Sequence, residues 1–344
     1  MKRWTLALKI LVSVLFVVVL LSTIRWPDLA RVGRRMDPLY VALSILLSFV
    51  LVAASCWKWW MLLRFQGHAI PFLKLYRWYF VGYFYSNFLP SNVGGDVARA
   101  WLAGREIRCM STALISVLAE RFTGMIFLFV MAVLMTLGGP PGQHVALRIP
   151  AVAAFGVLLA MTLLWFAGRL TGDRFAKGWV RIREWLHVTA GSCWAARLDR
   201  IESKIKGMND RAVQIGAVLC TQWRAFVSLW LVTFLFYALT VLNVIVAYRA
   251  FGVWPDAAGI AQVLPAALTV AALPISLGSI GLAEGSYVVY FGLLGLGREL
   301  TLAMGLLLRM KTVLLGLIGL VVQMREPVNV TSAKELRDAK QEGA

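Results

Sequence analysis

The chain has 344 residues, of which 60% are hydrophobic and 15% charged, against roughly 45–50% and 25% in soluble globular domains. Apolar runs recur along its whole length, which excludes a disordered chain, a coiled coil and a disulfide-stapled module, and leaves a polytopic membrane protein. Lysine and arginine number 35 against 17 acids, a formal net charge of +18, but the basic residues lie between apolar runs, where anionic headgroups and the positive-inside rule place them; no nucleic-acid partner is expected.

Taken in chain order, Lys2, Arg3 and Lys9 precede an apolar stretch from Ile10 to Ile24, read as an uncleaved signal anchor. Further apolar segments run about Leu39 to Cys56, Trp78 to Pro90, Thr112 to Leu137, Ile149 to Ala167, Ala225 to Ala250, Gly259 to Leu273, Ile280 to Leu296 and Leu300 to Met324. A span needs roughly 20 apolar residues. Trp78 to Pro90, Gly259 to Leu273 and Ile280 to Leu296 are too short, or too interrupted by Pro and Gly, to cross alone. The expected fold is therefore all-α: a helix bundle of about eight membrane segments, two of them broken or re-entrant.

Loop charges set the orientation. Between Gly168 and Arg224 lie eleven Lys or Arg against five acids, so this connection is cytoplasmic, and Phe175, Trp179, Ile182 and Leu186 give it the spacing of an interfacial amphipathic helix. Gly138 to Arg148 and Phe251 to Ala258 carry almost no basic residues and face outward. From these anchors both termini are expected on the cytoplasmic side of a bacterial inner membrane. The organisation that follows is one transmembrane domain over 1–324, with 168–224 as its basic connection, and a charged tail over 325–344.

Two breaks stand out. The first reads Leu89-Pro90-Ser-Asn92-Val-Gly94-Gly95-Asp96-Val-Ala-Arg99, and the second Leu273-Pro274-Ile-Ser276-Leu-Gly278-Ser279-Ile-Gly281-Leu-Ala-Glu284. They share Leu-Pro-x-x-x-Gly, and each is followed by an arginine inside an apolar helix, Arg121 and Arg309. A weak internal repeat accounts for this, inverted if one break enters from each face. Paired interruptions in two halves point to a transport site near the midplane, where half-helices beginning near Asn92 and Ser279 aim free N–H groups at an anion.

Ionisable residues at membrane depth cost several kcal/mol and mark function by default. The candidate substrate-binding set is Asn92, Gly94, Gly95, Asp96, Arg99, Glu120, Arg121, Ser276, Gly278, Glu284 and Arg309. Asp96 and Arg99 form a helical i, i+3 pair. Asp96 or Glu120 is expected to neutralise an arginine, and Glu284 to neutralise Arg309 or Lys311, with snorkelling as the alternative for Lys311.

On Pro90-Ser-Asn-Val-Gly-Gly-Asp-Val-Ala-Arg99, Glu120-Arg121-Phe-Thr-Gly124 and Leu273-Pro-Ile-Ser-Leu-Gly-Ser-Ile-Gly-Leu-Ala-Glu284, the chain resembles the lysylphosphatidylglycerol synthase transmembrane, flippase-like family. The likeness covers about Lys9 to Gln323, departing at Ser279, where the family usually has Gly, and at Ala283, where it usually has Arg. It implies translocation or handling of an anionic or isoprenoid-type lipid, membrane lipids (an anionic phospholipid or lipid-linked substrate) as partners, and a place beside lipid-biosynthesis enzymes such as those of hopanoid or glycolipid pathways.

Catalytic groups are not evident. Cys56, Cys109, Cys193 and Cys220 are widely spaced, and His68, His144 and His187 are isolated, so neither a metal, another cofactor nor catalysis is expected. A lipid-modifying or glycosyl-transfer enzyme, or a scaffold using the Arg169 to Arg211 segment, is the alternative.

Overall fold

The computed structural model describes residues 36–88, 94–137, 156, 223–272 and 281–325. The signal-anchor segment, the amphipathic connection, the charged tail, and Asn92, Ser276, Gly278 and Ser279 lie outside the described residues. Within them the elements are helices: α1 (Pro38–Phe65), α2 (Phe72–Phe88), α3 (Gly94–Glu106), α4 (Met110–Leu137), α5 (Trp223–Arg249), α6 (Ala257–Ala271), α7 (Leu282–Gly292) and α8 (Arg298–Arg325). By length and composition α1, α4, α5 and α8 can each cross a membrane. Leu39, Leu46, Leu231, Phe234, Leu317 and Val321 stand exposed on these helices. Ser44, Ser48, Thr233 and Asn243 are turned inward, as expected where lipid replaces water as the solvent.

The remaining helices have 11 to 17 residues. At about 1.5 Å per residue they are roughly 16–25 Å long, short of the ~30 Å hydrocarbon layer. They come as two helical hairpins, α2 with α3 and α6 with α7. In the first, Gly95 lies directly against the Gly82 carbonyl and the Ser86 hydroxyl. Only two glycines permit backbones that close. In the second, Ile260, Val263 and Leu264 pack with Tyr290 and Phe291, and Gly259 meets Leu294.

Both hairpins extend beyond the apolar segments marked in the sequence. The first begins at Phe72 rather than Trp78 and the second at Ala257 rather than Gly259. Polar and charged residues such as Lys74 and Arg77 join the first arm because the helix continues past the apolar run into the interface, where Lys74 meets Glu106 at 2.7 Å.

The eight helices form two equivalent sets, α1–α4 and α5–α8. Helix α1 packs on α5; α2 packs on α8 as α6 packs on α4; α3 packs on α4 as α7 packs on α8. This exchange of partners is what a twofold axis produces. The Asp37 N–H donates to the Ala250 carbonyl at 2.8 Å, and the Ser44 hydroxyl donates to Asn243 Oδ1 at 3.1 Å. The start of α1 thus meets the end of α5, and these equivalent helices run antiparallel. The axis therefore lies across the helices, the repeat is inverted, and the two hairpins enter from opposite ends of the bundle.

The structural register differs from the one suggested by the Leu-Pro-x-x-x-Gly match. That match places Leu89 on Leu273, a separation of 184, whereas Asp96 to Glu284, Met110 to Arg298 and Arg121 to Arg309 are each separated by 188. The difference is four residues, about one helical turn. Among the described residues the first-turn acids, Asp96 and Glu284, are the equivalent points.

The inversion is testable. In a cysteine-free background, Ala69→Cys and Trp254→Cys, both in exposed loop positions, should react with a membrane-impermeant maleimide from opposite sides of oriented vesicles. Labelling of both from one side refutes the antiparallel arrangement.

Candidate functional site

The first-turn positions of α3 and α7 carry Asp96 and Glu284. A carboxylate there accepts from free backbone N–H groups and meets the positive end of the helix dipole. Glu284 Oε2 accepts from the Gly281 N–H at 2.9 Å, and Gly281 adopts φ 77°, a conformation that suits glycine.

Each acid reaches an arginine 25 residues on. Arg121 Nε donates to Asp96 Oδ2 and its Nη2 to Asp96 Oδ1, both at 2.9 Å. Arg309 donates from Nε to Glu284 Oε1 at 3.0 Å, with Nη2 at 2.9 Å from the same oxygen. Each arginine is the twelfth residue of a 28-residue helix, close to its midpoint. Of the expected pairings for Glu284, the structure selects Arg309.

The first centre holds more charge than the second. Arg99, 2% exposed, donates to Glu120 Oε2 at 2.9 Å and also bonds Asp96. The Tyr79 hydroxyl donates to the other Glu120 oxygen, and the Arg99 guanidinium lies 4.1 Å from the Tyr79 ring centroid and 5.3 Å from that of Trp59. Buried Lys58 acts electrostatically on the same group. Three cations, Lys58, Arg99 and Arg121, thus face two carboxylates, Asp96 and Glu120. At the positions equivalent to Arg99 and Glu120, 188 residues on, the second half has Tyr287 and Leu308, and its described ionised pair is Glu284 with Arg309.

Burial separates the roles of these side chains. Arg99 and Glu120 are enclosed by their partners, and Arg99, read from the sequence as part of a binding set, is bonded to both carboxylates of the centre. Arg121 is different: its side chain is 56% exposed while both of its charged hydrogen bonds are made. Arg309 is intermediate, at 28%. Gly95 supplies close helix approach in the first hairpin. Each arginine is bonded to the acid of its own half.

Lys311 is buried, at 3% exposure, and donates to Ser44 Oγ at 2.6 Å, the Ser44 carbonyl at 3.3 Å and Asn243 Oδ1 at 2.8 Å. It therefore reaches inward rather than snorkelling. Sequence reasoning missed Ser44, Asn243 and Lys58; a lone polar residue in an apolar run was the available signal. Among the described residues no group of three or more His, Cys, Asp or Glu could hold a metal ion.

Residues 6–319 match the family model described as lysylphosphatidylglycerol synthase TM region, which takes in both halves of the repeat and both acid–arginine pairs. The chain belongs to this family. Two relatives from Methanothermobacter thermautotrophicus, each described as a UPF0104 membrane protein, extend the match over most of their length. One is 22% identical over 299 residues, covering 86% of this chain and 88% of its own, and the other 24% identical over 315 residues, covering 89% and 88%. No solved structure matches. The family membership and the apolar helices together make this a multi-pass membrane protein.

Proposed function

We propose that the protein translocates an anionic lipid between the leaflets of a bacterial inner membrane, binding its phosphate at the Asp96–Arg121 centre with the acyl chains left in the bilayer. The observation that carries the reading is Arg121: half exposed near the middle of a membrane helix, in a centre with one more cation than carboxylates. A phosphate arriving there meets two parallel guanidinium donors. It displaces Asp96, which retains Arg99 and the dipole of α3 as partners. The exchange of one anion for another leaves no buried charge unpaired at any stage. The inverted repeat supplies a second, equivalent pair, Glu284 with Arg309, reached from the opposite face, as alternating access requires.

The substrate class is an anionic phospholipid or a lipid-linked phosphate, and no chemistry is performed on it. Enzymes of lipid biosynthesis are the partners that would supply or consume it. The whole domain, residues 1–324, acts as one unit, with both termini in the cytoplasm.

Reconstituted protein carrying Arg121→Gln with Arg309→Gln should lose movement of fluorescent phosphatidylglycerol between leaflets. Arg121→Lys, which keeps charge but lacks two parallel donors, should slow it about tenfold, the equivalent of one charge-assisted hydrogen bond. Wild-type rates in the double variant would end the phosphate-site reading.

A further inference from the structure

Lys311 differs from the other buried charges described above. Among the described residues its hydrogen-bond partners are all neutral: the Ser44 hydroxyl and carbonyl and the Asn243 side-chain carbonyl. These three oxygens match the three N–H donors of an ammonium. Elsewhere in the bundle a carboxylate answers the cation: Asp96 and Glu120 for Arg99, Asp96 for Arg121, Glu284 for Arg309.

The groups around Lys311 confirm that isolation among the described residues. On α1 the facing residue is Ser44, with Lys58 almost four turns further along. On α5 it is Asn243; Tyr237 and Tyr248 donate elsewhere, to the Ala261 carbonyl and to Thr301. On α2, Asn87 donates to the Thr312 carbonyl, and Tyr83 lies in the field of Arg121, Arg99, Glu120 and Asp96. On α7, Glu284 is bonded to Arg309 and Tyr287 lies in the field of that pair. Among the described residues no ionised group acts on Lys311.

Its position in the repeat gives it leverage. Helices α1 and α5 are the antiparallel pair through which one half meets the other, and the lysine takes acceptors from both, Ser44 on the first half and Asn243 on the second. Any shear between α1 and α5 divides that set. An ammonium left with fewer than three acceptors in an apolar surround is costly, whereas a neutral amine tolerates the loss. The repeat contains a counterpart: Asn243 lies 185 residues beyond Lys58, the same separation as Trp223 from Pro38, and Lys58 reaches Gly124 on α4 as Lys311 on α8 reaches Asn243. Each half thus places one buried lysine between its first and last spanning helices, but Lys58 has Glu120 within electrostatic range.

We propose that Lys311 is a proton-binding site that couples the rearrangement of the two halves to a proton: the ammonium clamps Ser44 of α1 to Asn243 of α5, and loss of the proton frees α1 and α5 to shear. The ligand is the proton itself, exchanged with water when the interface opens, and the site operates whichever anion the arginines take.

The test is charge displacement on a supported membrane. Full-length protein in vesicles of phosphatidylcholine alone, with no anionic lipid present, is stepped across neutral pH. Wild type should give a transient current that saturates with the size of the step. Lys311→Met should abolish it, and so should Lys311→Arg, whose guanidinium keeps the charge and does not release its proton. Size-exclusion elution and thermal melting identify which variants are folded; if the Met variant does not fold, the Arg variant decides. An unchanged current in either folded variant, or no current from folded wild type, overturns the proposal. Lipid movement is not read, so failure of the phosphate site leaves the current in place, and loss of the current leaves the phosphate site standing.

Discussion

Arg99→Met should destabilise the bundle by about 3–5 kcal/mol. The guanidinium is 2% exposed, stacked on Tyr79, and bonded to both Asp96 and Glu120. Without it Glu120 keeps the Tyr79 hydroxyl as its hydrogen-bond partner among the described residues and Asp96 keeps Arg121. Removing one partner from a buried ionic group costs about 3–5 kcal/mol, because a charge is left unanswered in a low-dielectric surround. Chemical unfolding in detergent should register a loss of that size. The double variant Arg99→Met, Glu120→Met removes both charges of the enclosed pair and should recover much of it, since apolar groups of similar volume replace a buried ion pair with little penalty. A single variant within about 0.5 kcal/mol of wild type would show that Arg99 is not the pin of the centre.

The second large effect is steric. A methyl group at Gly95 runs into the Gly82 carbonyl oxygen and the Ser86 hydroxyl. Backbone cannot yield as a flexible side chain does, so α3 must move away from α2, and Asp96 and Arg99, the next residues on α3, move with it. Overpacking costs about 1–3 kcal/mol where side chains can adjust; against backbone, Gly95→Ala should reach or exceed the upper end and also lower lipid movement. Gly285, where an added Cβ meets nothing within 4 Å, is the comparison: Gly285→Ala should leave stability unchanged or raise it by up to about 1 kcal/mol, through helix propensity. Equal melting temperatures for the two variants would remove the close approach of α2 and α3 as the feature that sets the site.

Several elements were legible without coordinates because their signal is local. Apolar runs long enough to span can only be helices in lipid, since backbone groups must be satisfied within the segment; this marks α1, α4, α5 and α8. In the sequence Pro90 and Pro274 signal helix breaks, since proline has no backbone N–H to donate, and the described helices α2 and α6 end before them, at Phe88 and Ala271. The acids and arginines near the breaks stand out because charge at membrane depth is costly. That cost also fixes that they pair, but not with which partner.

What the tertiary structure decided is everything that depends on rotation and depth. Register in the repeat moved by four residues, since a shared Pro and Gly fix where a helix ends and not where the next one begins; the Asp96–Arg121 and Glu284–Arg309 bonds set the true alignment. Inversion needed one long-range contact pair, Asp37 with Ala250 and Ser44 with Asn243, because loop charges constrain sides of a membrane but not which helices touch. The division between enclosed Arg99 and half-exposed Arg121 could not be read from two arginines of the same chemistry, nor the partners of Lys311 from residues separated by 267 and 68 positions. Composition and local backbone chemistry determined a helical membrane bundle with charged centres; only packing, which sets what each charge meets, decided which of those charges is enclosed and which stands exposed.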